Sequence, residues 1–451
     1  MHRCMPTFPL VSDELVRRYD VPAPRYTSYP TAPIWTEKIG PGAYAAALER
    51  AARRPQAPLS LYAHIPFCKE RCAFCGCNVV VTRSRATADR YLGRLMREMD
   101  LVQDRLGRRR SLSQIHWGGG TPTFLDERQL EALWQAIEQR FAVLPDAEIS
   151  IEIDPVVTTR SQLECLRRLG FNRISMGVQD LDPAVQAAID RVQSVEETGA
   201  AVDHARALGF RGINFDLIYG LPLQTKASWE RTLAQVLALR PDRLAVYSFA
   251  YVPDLRPNQK RLPVSGIPGG KDKLDLFRLA WEALTTAGYR QIGMDHFALP
   301  DDELAQAQAR RGLGRNFQGY TVQTATEVIA FGVSAISDVG GLYAQNAHGL
   351  SRYENSIGEG TLATGRGIAL TAEDLVRRAL ISGLMCNFWV QVPAGFEREL
   401  ARLAELESEG LLTLRGREVE LTALGRIFVR NVAAVFDAYA GRPQQPFSRA
   451  I

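Results

Sequence analysis

Four cysteines, Cys68, Cys72, Cys75 and Cys77, fall within ten residues in the stretch CKERCAFCGC. Cysteines this close cannot all pair without strain, so the pattern points to a metal and not to a disulfide framework. A structural zinc site takes two well-separated pairs of ligands, and no second pair follows in the sequence. Clustered thiolates instead suit an iron-sulfur cluster, and C-x3-C-x2-C sets Cys68, Cys72 and Cys75 on one loop that can wrap three corners of a cubane. The fourth iron is then free for a ligand. A fourth thiolate would close that corner, so Cys77 is read as a neighbouring thiol outside the ligand set.

The elements that position this loop follow a strand, loop, helix rhythm. Residues 61–65 form a short apolar run closed by Pro66, and the cysteine loop leaves its C-terminal end. Residues 114–117 predict a second strand, which runs into Gly118, Gly119, Gly120, Thr121 and Pro122. Ile149, Ile151 and Ile153 alternate with Ser150, Glu152 and Asp154, the period of a strand with one polar face. Residues 173–178, 213–218 and 244–248 supply three more, with helical patterns at 202–208 and 229–239 between them. Six strands alternating with helices imply a parallel sheet with right-handed crossovers. Polar residues at the strand C-termini favour a curled barrel over an open sheet, since that is where βα barrels put their chemistry.

The glycine run is neither a phosphate loop, for want of the lysine, nor a dinucleotide fingerprint, because Thr123 stands at the third glycine position. What it offers is bare backbone. Glu152, Gln179, Arg191 and Asp216 lie at or beyond strand ends. Each alone is an ordinary ion-pair or solvated residue, but together they could hold a ligand with a carboxylate and sugar hydroxyls. His64 and His116 read as structural.

The 451 residues suffice for two or three domains, expected at 1–50 (an extended arm), 51–300 (the catalytic barrel) and 301–451 (a smaller, mostly helical C-terminal domain). Prolines 22, 24, 30 and 33 around RYTSYPT make helix unfavourable in the arm. Residues 358–367 read as a flexible loop, and residues 411–422 as a small hairpin. The net charge of +4, from 54 Lys and Arg against 50 Asp and Glu, is too balanced for a polyanion-binding surface spread along the chain, and leaves room for a local basic pocket. No leader and no apolar run of bilayer length is evident, and Cys4, Cys165 and Cys386 are scattered like reduced thiols. A cytoplasmic, monomeric protein away from membranes is expected.

With an aromatic, Phe74, before its last cysteine, the C-x3-C-x2-C loop resembles that of the radical S-adenosylmethionine (SAM) enzymes. The resemblance narrows through YAHIPFC (62–68), HWGGGTP (116–122), SMGVQD (175–180), DLIYGLP (216–222), GMDHF (293–297), RNFQGY (315–320) and the tail FSR (447–449). These motifs look like those of the oxygen-independent coproporphyrinogen III oxidase family, over nearly the whole chain. The resemblance implies a partial (β/α)6 radical SAM barrel holding a 4Fe-4S cluster and one or two molecules of SAM. It implies oxidative decarboxylation of two propionates of coproporphyrinogen III to vinyl groups, giving protoporphyrinogen IX in haem synthesis, with a low-potential electron donor and an electron acceptor as partners. It also implies that Tyr62, Phe74, Gly119, Gly120, Thr121, Glu152, Gln179, Arg191, Asp216, Ala250 and Ile336 contact SAM, and that Gln318 shares their cavity. Arg25 and Tyr26 in the arm are candidates to meet the substrate's carboxylates. The alternatives are a haem-binding chaperone of the same superfamily and a radical SAM enzyme that modifies RNA.

Overall fold

Strand β1 (Leu59–Ile65) is buried at all but one position, as a strand covered on both faces must be. In the computed structural model, which describes residues 7–322, 327–441 and 447–449, this strand sits inside the largest sheet. Cys4 lies outside the described residues. After β1 come β2 (Ser111–Gly119), β3 (Ala142–Ile153), β4 (Arg173–Gln179), β5 (Gly212–Tyr219) and β6 (Arg243–Ser248). Each runs parallel to the one before. Helices Arg85–Leu106, Glu127–Arg140, Arg160–Arg168, Val195–Ala207 and Lys226–Leu239 make the crossovers. This is the expected partial (β/α)6 barrel.

Side-chain alternation decides what fills it. Along β3 the isoleucines 149, 151 and 153 are buried against the helices, while Glu148, Ser150 and Glu152 take the other face. Parallel register sets His116 beside Ser150, Glu152 beside Ser175, and Gly177 beside Asp216. One face of the curled sheet therefore carries polar side chains in neighbouring rows.

The sheet continues beyond residue 300, where the sequence suggested that the rhythm fades. β7 (Arg290–Ile292) and β8 (His296–Ala298) add antiparallel strands at the β6 edge. At the other edge β9 (Glu327–Phe331) pairs parallel to β1, followed by antiparallel β10 (Ile336–Val339), β11 (Leu342–Asn346) and β12 (Thr364–Ala369). Among the described residues the order is β12-β11-β10-β9-β1-β2-β3-β4-β5-β6-β8-β7. Part of the segment expected as a flexible loop, 358–367, is thus edge strand β12. The remaining C-terminal region is mainly helical, with Ala372–Asn387 and Glu397–Ser408 beside a three-stranded sheet that contains the expected hairpin.

The arm is not uniformly extended. Helix Asp13–Tyr19 is capped by Ser12, which accepts from Leu15 N, and helix Pro41–Ala52 starts on a proline where the missing N–H costs nothing. Between them Tyr26, Tyr29 and Trp35 are buried. Arg430 from the C-terminal region donates to the backbone oxygens of Ala23, Pro24, Ser448 and Arg449, knotting arm to tail.

Candidate active site

The cysteine loop leaves β1 at the barrel mouth and is held by side-chain amides from a distant segment. Asn258 Nδ2 lies within hydrogen-bond reach of the carbonyls of Cys72 (3.2 Å), Ala73 (3.1 Å) and Cys75 (2.9 Å). Gln259 Nε2 donates to Phe74 O and to Ala250 O, both at 3.1 Å. These bonds satisfy loop carbonyls that no regular element pairs. Cys68 Sγ lies 3.5 Å from Thr121 Oγ1, and Arg191 Nη1 lies 3.9 Å from Cys72 Sγ.

The thiols differ. The Cys77 side chain donates to Cys75 and, despite burial, pulls the Cys75 thiol down to about 6, with Arg71 and Arg191 helping. The same bond holds the Cys77 thiol well above its ordinary value. Burial raises Cys68 to about 11 and also raises Cys72.

Backbone crowding explains the glycine run. Gly119 has φ +124°, and a Cβ there would come within 2.9 Å of Ile65 O, while one at Gly120 would meet Pro66 O at 2.7 Å. Gly120 N donates to Ile65 O (2.8 Å) and Thr121 N to Phe67 O (2.9 Å). The bare backbone is needed to seat this turn against the start of the cysteine loop.

A cavity of roughly 870 Å³ collects most of the expected site residues: Cys68, Cys72, Cys75, Phe74, Gly119, Gly120, Thr121, Glu152, Gln179, Arg191 and Asp216. Glu152 Oε2 accepts from Gly119 N (3.1 Å), and Oε1 lies 3.2 Å from His116 Nε2. Burial opposes ionisation, but these bonds outweigh it and hold the carboxyl below its usual range. Asp216 behaves oppositely, because burial and the Glu152 charge push it up to about 7 against hydrogen bonds from Asn214 and Ser175. Gln179 takes a left-handed backbone, φ +65°, at the end of β4. Arg191 pairs with Asp154 at 2.8 Å and donates to Gly177 O at 2.9 Å.

Six expected residues lie outside that lining. Tyr62 stacks on His116, ring centroids 5.9 Å apart, with its hydroxyl 3.0 Å from His64 Nδ1. Ala250 is tied to the cysteine loop through Gln259, and Ile336 pairs with Gln345 on β11. Gln318 lines a smaller space of roughly 120 Å³ that shares Glu152 and Asp216 with the main cavity, and both its amide atoms are buried without partners. The two arm candidates part company. Arg25 pairs with buried Asp295 and lies over the Tyr247 ring at 5.5 Å, whereas Tyr26 turns away and donates to Asp437 at 3.1 Å.

Sequence reasoning missed Asp154, Asn258 and Gln259. Asp154 could have been found as the polar residue immediately after the Ile149–Ile153 alternation. The other two lie in a short 3-10 helix, Pro257–Arg261, too brief for any periodicity to mark them.

Residues 62–236 match the radical SAM superfamily. With three cysteines opening into a cavity at the C-terminal mouth of a partial parallel barrel, fold and site define a radical SAM protein. Residues 370–428 match the HemN C-terminal domain. The oxygen-independent coproporphyrinogen III oxidases of Pseudomonas aeruginosa and Escherichia coli are each 44% identical, over 97% of this chain and 98% of theirs. That of Synechocystis is 42% identical over 99% of both. The crystal structure of the E. coli coproporphyrinogen III oxidase HemN, described as a radical SAM enzyme, superposes with TM-score 0.88 at 44% identity, covering 92% of this chain and 97% of that one. The chain belongs to the oxygen-independent coproporphyrinogen III oxidase family.

Proposed function

We propose that this protein converts coproporphyrinogen III to protoporphyrinogen IX without oxygen, by oxidative decarboxylation of two propionates to vinyl groups in haem synthesis. The observation that carries the reading is the convergence of Cys68, Cys72 and Cys75 with Glu152, Gln179 and Asp216 on one cavity. The donor set fits a 4Fe-4S cluster, since Cys68, Cys72 and Cys75 open together into this cavity. When bound, the reduced cluster and SAM supply a 5'-deoxyadenosyl radical that takes one hydrogen atom from a propionate β-carbon. Loss of that hydrogen atom would leave a β-carbon radical on the substrate, which would release carbon dioxide and give up one electron to an acceptor to become the vinyl group.

The protein's part is positioning and shielding. A propionate β-hydrogen is not acidic, so a His or Glu general base is the wrong tool. Tyr62, Phe74, Gly119, Gly120, Thr121, Glu152, Gln179, Arg191, Asp216, Ala250 and Ile336 are proposed to hold SAM. Ionised Glu152 orders the Gly119 backbone, Asp216 is the acceptor for ribose hydroxyls, and the Arg191-Asp154 pair sets a cation beside the cysteine loop. Gln318, with an unpaired buried amide, and Arg25 are proposed to meet the substrate. The protein is proposed to act as a monomer in the cytoplasm, with catalytic residues 51–300 covered by an arm (1–50) and a C-terminal domain (301–451). The β9–β12 strands argue for drawing that last boundary nearer residue 370. Among the described residues no helix is long and apolar enough to cross a membrane.

The test is anaerobic incubation of the reconstituted protein with SAM, dithionite and coproporphyrinogen III. A porphyrin product lighter by two carbon dioxide units and four hydrogens supports the reading. Unchanged porphyrinogen from a cluster-loaded protein that cleaves SAM contradicts it.

A further inference from the structure

The electron that reduces the cluster has to enter from outside, and the surface around the cysteine loop has a distinctive charge. Residues 69–85 carry Lys69, Arg71, Arg83 and Arg85 against Glu70, and residues 254–261 carry three cations against Asp254. Seven cations less two acids is +5, so the rest of a chain of net charge +4 sums to −1. These two short segments thus carry a local basic excess slightly larger than that of the whole chain.

The fold joins them into one surface. Arg261 Nη2 donates to Arg71 O at 2.6 Å, and Asn258 binds three carbonyls of the cysteine loop. Lys69, Arg83 and Arg85 line a recess of roughly 340 Å³ floored by Phe124, one residue along from Cys68. Gly76 and Cys77, later in the loop, are exposed, and Cys77 also lines the main cavity. Two acids face this patch, Glu70 against Arg83 and Asp190 against Arg261, each at 3.0 Å. Both pairs are more than half exposed on both partners, so they contribute little and can be exchanged for a partner's carboxylates.

We propose that this basic face is the docking surface for an acidic one-electron carrier protein, which delivers electrons to the cluster across the cysteine loop. The proposal rests on the functional reading above. Complementary charge would steer such a carrier to the face that carries the cysteine loop. Each docking transfers one electron: the carrier is oxidised, the cluster is reduced, and the electron is used in one SAM cleavage. A substrate with two reacting propionates requires two such visits.

The experiment pairs the parent with Lys69→Glu/Arg83→Glu, and with the milder Lys69→Ala/Arg83→Ala in case charge reversal impairs folding; iron content is checked in each. Binding of a purified acidic flavodoxin is measured by calorimetry across ionic strength, on both apoprotein and cluster-loaded protein. 5'-Deoxyadenosine formation is measured separately with dithionite and with reduced flavodoxin. The expected result is binding weakened by about tenfold or more with a shallower salt dependence, a matching loss of flavodoxin-driven turnover, and an unchanged dithionite rate. Parental affinity in both variants, or dithionite and flavodoxin rates that fall together, would overturn it. A parent that binds flavodoxin but forms no 5'-deoxyadenosine with dithionite would count against the functional reading, while the calorimetry still decides the docking surface.

Discussion

Arg191 and Asp154 form a 2.8 Å ion pair that stands between the β3 and β4 strand ends and the cysteine loop, with Arg191 Nη1 also 3.9 Å from Cys72 Sγ. The guanidinium is thus fixed before any ligand arrives, held by a carboxylate and by Gly177 O. A group so placed meets an incoming carboxylate at little entropic cost.

Arg191→Ala is expected to weaken SAM binding by roughly ten to a hundredfold, the value of one charge-assisted hydrogen bond, while iron content stays at the parental level. Calorimetry with SAM on cluster-loaded protein checks this. Parental affinity would reduce Arg191 to a structural partner of Asp154.

Asp216 gives a pH signature. Its folded-state value of about 7 lies above the unfolded one of 3.8, so the native protein holds the proton more tightly and this group's contribution to stability falls as pH rises through that window. Asp216→Asn should therefore gain stability relative to the parent as pH rises from 3.8 to about 7. SAM affinity of the parent should rise as Asp216 ionises, and the Asn variant should lose that rise. Melting temperatures and SAM titrations across pH read both, and parallel profiles would contradict the assignment.

Arg25 joins the arm to the barrel. Burial opposes ionisation of Asp295, but Arg25 and His296 hold its carboxyl far below the usual range. That stability is present above the ordinary carboxylate value and is lost as pH falls. Arg25→Ala should lower the melting temperature at neutral pH, with the gap to the parent narrowing in acid, and should suppress porphyrinogen turnover with SAM affinity kept. Full turnover would confine Arg25 to packing.

Arg430→Met removes the donors to Ala23 O, Pro24 O, Ser448 O and Arg449 O. The expected loss is roughly 2 to 4 kcal/mol, because the carbonyls of Ala23, Pro24 and Arg449 lose this donor while Ser448 O keeps only Ala23 N, and protease should then cut first within the arm. An unfolding midpoint equal to the parent's would show the knot to be redundant.

Much of this was legible in the residues. The β3 alternation told which side chains enter the barrel, and the cysteine spacing with the strand before it located the mouth. The arm was harder, since prolines argue about local backbone and say nothing of burial; Tyr19, Tyr26 and Tyr29 are buried by contacts whose sequence separation is about the length of the chain. β9 was obscured for the same reason, as its partner β1 lies more than two hundred residues earlier. The amides of Asn258 and Gln259 act on backbone carbonyls, which leave no pattern in side-chain types.

The central claim is that the three-cysteine site generates a radical that takes hydrogen from a propionate β-carbon. Coproporphyrinogen III deuterated at that carbon, incubated anaerobically with the loaded protein and SAM, tests it most directly by mass analysis of the 5'-deoxyadenosine formed. The account requires two singly labelled molecules of 5'-deoxyadenosine for each protoporphyrinogen IX, and none from Cys72→Ala. Unlabelled 5'-deoxyadenosine alongside decarboxylated product would contradict it.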